Sequence, residues 1–459
     1  MLIDFVGPAY ALRTPNLNAQ QCINWYVRAG GPGGKSAGAL YPTPGLEAFV
    51  TLAAAAKVRG LISTDDKLYA VSGTKLYSIT EAGTMTELGT IPGTDPISLA
   101  HNGVEVFVAN GTSTGYRFVI SGSTFSSVAL PAAIRQVVFL DGYFVGVELG
   151  GQKVYVSTLY DGSAWASLDF ASAEINPDKS LAIIADQREL MIAGTKSTEF
   201  WYNSGNADYP FERISGGITE YGCAAPWSVA SIADSKFWLT NHRTVVMASQ
   251  WQAQPIGTDA LHETIAGYST ISDAEGMTYS IDGHYFYALT FPTEGATWVY
   301  DLNTQMWHER QSPSLTHFRG TFCTELNGVW YVGDYTNGKV YKLTPTVYTE
   351  NGAVVTRTRT TPVISEEDKR ITLTRLQIDF EEGINAAGDP QADLSWSKDG
   401  GHTFSPVQSE SIGATGAYTN RVVWRRIGQF REIIFKLQVA HDMRAIVLGA
   451  FGELEVGED

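Results

Sequence analysis

The sequence is short of charge. Asp, Glu, Lys and Arg make up 17% of its 459 residues, against roughly 25% in ordinary soluble domains. A long chain this thinly charged is expected to hide surface in an assembly, beyond what strand interiors account for. The charge present leans acidic, with 48 Asp plus Glu against 32 Lys plus Arg and a formal net charge of −16. That shortage of cations excludes a protein that grips phosphates through a broad basic footprint. It does not exclude one that handles DNA without holding it. Cysteine is nearly missing: Cys22, Cys223 and Cys323 show no CxxC spacing, which argues against a disulfide framework and a zinc site. The eight histidines form neither HExxH nor a pair at helical spacing, so no metal or other cofactor is expected. No apolar run approaches the ~18 residues of a membrane span. The opening MLIDFVGPAYALRTP lacks a basic start, a long apolar core and a small-residue cleavage site. No secretory signal is therefore expected, and the chain should be made and folded in a cytosol.

What is abundant points to β-structure. Glycine is present 46 times and aromatics reach 12%, as many short strands and turns require. The stretch Asp282–Arg310, DGHYFYALTFPTEGATWVYDLNTQMWHER, reads as three strands divided by a Pro-Thr-Glu-Gly turn and by Asp301-Leu302-Asn303-Thr304. Its pattern is that of a kelch-like β-sheet blade. The same phrase of turn residues followed by an apolar strand recurs at Asp65, Asn102, Asp141, Asp186, Asp234, Asp282 and Asn327. The intervals are 37, 39, 45, 48, 48 and 45 residues, the period of propeller blades and not of helical solenoids. The expected fold is all-β: a propeller over 46–350 with seven blades, a six-blade ring with one unit outside being the alternative.

Flanking regions depart from this rhythm. Residues 1–45 form an extended arm with a short strand at Ile23–Val27 and a glycine-rich loop. Its Trp25, Tyr26 and Tyr41 are expected to dock on another part of an assembly, because burying such rings is worth a few kcal/mol. Removing the arm is then expected to spare folding and weaken assembly. Residues 160–180 read as a long connection. Residues 258–272 carry the one helix, capped by Thr258 or Asp259, with Leu261, Ile265 and Tyr268 on one face. From about 351 the period-two runs TRTRTTPVISEEDKRITLTRLQIDF and RVVWRRIGQFREIIFKLQVA indicate a separate β-sandwich-like domain, 351–459.

Motifs that resemble catalytic ones read structurally. Ser397–Phe404, SKDGGHTF, fits the Asp-box of sialidases and other β-rich proteins, which specifies a hairpin turn with Asp399 capping backbone amides. Gly111–Gly115, GTSTG, matches a nucleophile elbow in letters but lies between two strands, where that motif needs a following helix. Gly30–Ser36 resembles the end of a phosphate loop, interrupted by Pro32 and followed by no helix. One charge island stands out: Arg421, Arg425, Arg426 and Arg431, interleaved with Val422, Val423, Trp424, Ile427 and Phe430. As neighbours on a strand, Arg425 and Arg426 are expected on opposite faces. The four arginines, with Trp25 and Tyr26, are the candidate interface residues. No catalytic residues are nominated.

The pieces in order resemble a known family. They are NLNAQQCINWYVR followed by GGKSAGALYPTPGL; ELMIAGTKSTEFWYNSGNADYPFERISGGITEYGCAAPWSVASIADSKFWLTN; and LSWSKDGGHTFSPVQS with RVVWRRIGQFREIIFKLQV. Together they resemble the packaged-DNA stabilisation proteins of short-tailed bacteriophages, the tail-hub or nozzle components. The resemblance implies a non-enzymatic structural protein of the virion tail, assembled in the host cytoplasm. It further implies a homo-oligomeric ring, a hexamer, that extends the DNA channel below the portal and adaptor rings and helps retain the packaged genome. A tail needle and a tailspike or fibre are the implied partners, and DNA would pass through without sequence-specific binding. A propeller glycan hydrolase, suggested by the Asp-box, and a kelch-like adaptor are the competing readings.

Overall fold

The computed structural model describes residues 2–456 apart from 16, 32–36, 174–177, 367–368, 382–388 and 418–419. The phosphate-loop-like segment lies largely outside the described residues. Seven four-stranded antiparallel units follow one another along the chain, within 58–90, 98–129, 134–172, 180–219, 230–255 and 275–309, with a seventh built from 320–344. The seventh has only three strands of its own. Its fourth is Gly45–Thr51, which precedes the first unit and pairs with Lys339–Thr344, Leu46 opposite Leu343. The innermost strand of each unit packs against that of the next, and Gly320–Leu326 against Val58–Ser63. There Ser63 Oγ and Thr324 Oγ1 lie 2.9 Å apart and close the ring.

The recurring turn phrase is the hairpin between the first and second strands of each unit. In five of them both central residues have positive φ: Asp141-Gly142, Gln187-Arg188, Ala233-Asp234, Asp282-Gly283 and Asn327-Gly328. That is the type I′ geometry, whose twist matches the twist of the paired strands. Gln187 and Arg188 are poor residues for it, and tertiary contacts hold them. Arg188 reaches back to Asp141 at 3.2 Å, while Gln187 donates forward to Asp234.

Within 160–180, residues 161–172 are not a connection. Asp161–Ser172 is the outermost strand of the third unit and pairs with Lys153–Thr158. Its Ala166, Leu168 and Phe170 alternate with Ser167 and Asp169, but on an outer edge Leu168 stays exposed, so the alternation marks no core face. The helix lies at Asp259–Gly267, with Thr258 Oγ1 accepting from the Leu261 amide at 3.3 Å. Leu261 and Ile265 are buried and Tyr268 follows as its C-cap.

After the propeller come the two sheets of a sandwich, and the arm belongs to both. One runs in the order Val422–Phe430, Ile371–Phe380, Val447–Val456, Gly38–Pro42, Trp25–Ala29, with Leu2–Ile3 also on Val447–Val456. The other contains Arg357–Thr360, Glu432–Val439, Gln391–Ser397 and Gln408–Ser411. Into its edge fits Cys22–Ile23, antiparallel to Arg357–Thr360 and parallel to Met306–Glu309 of the sixth propeller unit. A single hydrogen-bonded sheet therefore runs from propeller to sandwich through the arm. The expectation that the arm docks on another subunit is corrected: the chain buries its own arm, because the sandwich sheets are incomplete without it.

The domain seam and the charged surfaces

At the seam the chain must leave one sheet and enter the other within a residue. Asn24 makes that corner at φ 57°, a conformation Asn tolerates better than most side chains. Its side chain is buried and fully used. Nδ2 donates to Gln311 O at 2.9 Å and Thr356 O at 2.8 Å, and Oδ1 accepts from the Gln311 amide at 3.0 Å. One amide thus binds the end of the sixth propeller unit to the start of the sandwich. Trp25, fully buried, donates Nε1 to Ala445 O at 2.8 Å. Tyr26 packs edge-on against Phe286 and His284, with centroids at 5.2 and 5.5 Å. Both aromatic interface candidates are therefore occupied inside their own chain.

Arg359 is the other fastening. It is fully buried and binds acceptors of the arm: Nε to Phe5 O at 2.8 Å, Nη1 to Pro8 O at 2.7 Å and Gln21 O at 3.2 Å, Nη2 to Gln20 Oε1 at 2.7 Å. Burial weakens its hold on the proton, though it stays a cation. Carbonyl dipoles take the place of a counter-ion. Across the seam Arg310 donates Nη2 to Pro44 O at 2.6 Å and pairs with Glu350 at 3.3 Å. Beside it, burial pushes Glu309 up to about 7 and His308 down to about 3. Burial also raises the thiols of Cys22 and Cys223 to about 12, keeping both protonated and inert.

The arginine island lies on Val422–Phe430, an edge strand of the sandwich. Arg421, Arg425, Arg426 and Arg431 are all exposed. The expected opposition of Arg425 and Arg426 fails because the strand bulges. Between the pairs Leu373–Gly428 and Arg375–Arg425, two residues of one strand face one of the other. Arg426 absorbs the extra step at φ 62°, so both arginines reach solvent while Ile427 turns back to the core. The register also sets Arg375 directly opposite Arg425, and Arg375 is neutralised by Glu453 at 2.8 Å. Sequence gave no sign of this pairing.

Elsewhere the motifs are structural. Asp399 Oδ1 accepts from Ser397 Oγ at 2.6 Å and the Thr403 amide at 2.9 Å, which holds its carboxyl below the usual carboxylate range. Gly111–Gly115 spans the hairpin between Glu105–Ala109 and Thr114–Val119. Among the described residues no group of three or more His, Cys, Asp or Glu is placed to hold a metal, and no helix is long and apolar enough to cross a membrane. The middle of the propeller is crossed by side chains. Trp227, between the fourth and fifth units, meets Phe322 of the seventh at 5.8 Å. Gln136 of the third donates to Pro226 O at 3.0 Å.

Comparison with known proteins follows this division. A family model described as the β-propeller of bacteriophage P22 Gp10 matches residues 11–348, and one described as its β-sandwich matches residues 356–455. The tail hub protein gp10 of Salmonella phage P22 is 24% identical over 408 residues, covering 82% of this chain and 83% of the relative. A computationally designed protein, Ika8, overlays on 65% of this chain and 99% of its own, with a TM-score of 0.40 and 12% identity. A likeness of that size has no bearing on function.

Proposed function

The chain belongs to the bacteriophage P22 Gp10 family, and from that premise we propose that copies of it form a ring extending the DNA channel of a short-tailed phage below portal and adaptor. It is a structural tail hub protein of the virion tail. The ring is read as a hexamer of seven-bladed subunits, with the tail needle and a tailspike or fibre as further partners. The propeller covers 46–350 and the C-terminal domain 351–459, with residues 1–45 as a tie between them. The subunit acts by position and rigidity, not by turning over a substrate. Asp399, the residue a glycan hydrolase reading would use, is engaged with its own turn.

One observation carries this reading: the arm runs as a strand between propeller and sandwich, so that a single sheet crosses both. A subunit built this way transmits force without hinging, which a component under a packaged genome requires. DNA would pass between subunits, because Trp227 and Phe322 cross the middle of each propeller. An acidic wall offers the duplex few phosphate contacts, leaving it free to slide without sequence-specific binding. Electron microscopy of the purified protein, alone and with portal–adaptor complexes, tests the proposal. Rings seated on the adaptor are expected; a protein that stays monomeric under both conditions overturns it.

A further inference from the structure

The edge of the sandwich carries a concentration of cation that the rest of the chain does not explain. The side chains of Arg370, Arg421, Arg425 and Arg426 are exposed, and none makes a hydrogen bond or ion pair among the described residues. Arg425 also stands directly across from Arg375, which pairs with Glu453. Like charges opposed across a ladder are unfavourable. The bulge adds to the crowding, since it turns Arg426 outward beside Arg425 instead of burying it. An edge strand needs some charge to deter pairing with other chains, but one or two cations suffice for that. This strip, on a chain of net charge −16, is short of an anion.

An anionic surface lies elsewhere on the same chain. The hairpin turns of the first and seventh propeller units meet where Ser63 and Thr324 hydrogen-bond. Around that contact Asp65, Asp66, Glu81 and Glu325 are exposed. Among the described residues their one ion pair is local, Asp66 with Lys67 at 3.6 Å. Among the described residues no ion pair joins this patch to the arginine strip.

Resting on the ring reading above, we infer that the arginine strip of one subunit docks on the Asp65–Asp66–Glu81–Glu325 patch of the next. Two different patches on each copy make a heterologous, head-to-tail contact, the type that closes into a ring when the rotation per subunit allows it. Charge complementarity would set partner and register, and would make assembly weaken as salt rises. The second occupant worth testing is DNA, whose phosphates the same arginines suit.

Charge reversal at both patches decides the matter, read by sedimentation and electron microscopy of protein with portal–adaptor complexes. Arg425→Glu with Arg426→Glu, and separately Asp65→Lys with Asp66→Lys, are each expected to weaken subunit association at least ~100-fold. A chain carrying all four reversals is expected to assemble again. Circular dichroism melting confirms that each variant is folded; Arg425→Ala with Arg426→Ala, a milder change, is expected to weaken assembly in the same direction. If the wild type forms no ring, the ring reading fails and this contact with it. If the wild type forms rings and the Arg425/Arg426 reversal forms them equally well, the contact alone is overturned. Broken assembly that the fourfold reversal does not restore also overturns it, as does a reversal whose sole effect is weaker DNA binding.

Discussion

Six of the seven propeller units are made of sequence neighbours, whereas the sandwich is gathered from the two ends of the described chain. The sixth unit closes within 275–309, its strands joined by turns of a few residues. The sandwich draws on residues 2–42, 357–380 and 391–456, with Trp25 meeting Ala445 and Phe5 meeting Arg359. Local pairing is inexpensive in chain entropy, and distant pairing must close long loops before any contact rewards it. The pairing of a local unit therefore needs no distant strand, although its apolar face is shared with the next unit, as Leu140 and Val145 share theirs with Ile183 and Trp201; the gathered sandwich needs distant strands to pair at all. The propeller has one such dependence of its own, the strand Gly45–Thr51 that completes the seventh unit.

The sharpest way to break this comparison is to remove the arm. Deleting residues 1–44 should abolish the folded sandwich, because both its sheets lose strands and Trp25 and Leu40 leave its core. Residues 45–350 alone should still fold. Calorimetry on the two fragments checks this: a cooperative C-terminal transition surviving without the arm would show that the seam is dispensable. Next in size is Arg359→Ala, which strands four acceptors of the arm in the interior. A loss of about 3 kcal/mol is expected from the denaturant midpoint.

A change confined to one local unit should do far less. Replacing Gln187 by Asn and Arg188 by Gly gives the fourth unit the residues that its positive-φ turn favours. The exposed pair Arg188–Asp141 contributes little, so a net gain of about 1 kcal/mol in thermal unfolding is expected. The smallest effect concerns pH. Glu309 beside the seam is raised to about 7 by burial, above its unfolded value, so the folded state holds the proton more tightly. Its contribution is full below about pH 4.5 and is lost as pH rises through 7. Glu309→Gln should flatten the fall in melting temperature between pH 5 and 8; an unchanged slope would mean that the carboxyl is not buried there.

Much of the propeller was legible because its signals are short in range. The turn at Asp282-Gly283, the alternation of His284–Phe291 and the cap of Thr258 each lie within a few residues of what they specify. The arm was legible only in part. The strand around Ile23–Val27 and the need to bury Trp25 could be read, but not the surface that buries them, which lies some 420 residues away. The alternating TRTRTT run indicated a strand, but not that Arg357–Thr360 is buried throughout. The arm pairs along one edge of it and Glu432–Val439 along the other, and guanidinium groups can enter an interior only where carbonyl acceptors await them.

By itself, then, the sequence determined the β-class, the repeat, the hairpin turns and the change of architecture near 350, because pleat and turn geometry are imposed by adjacent residues. Tertiary structure alone decided that the arm is a shared strand, that Asn24 and Arg359 fasten two domains, and that a bulge sends Arg425 and Arg426 to the same solvent. Each of these depends on which distant strand arrives beside which, and in what register. A one-residue shift in register moves every side chain to the other face, and nothing within a single strand records the register of its partner.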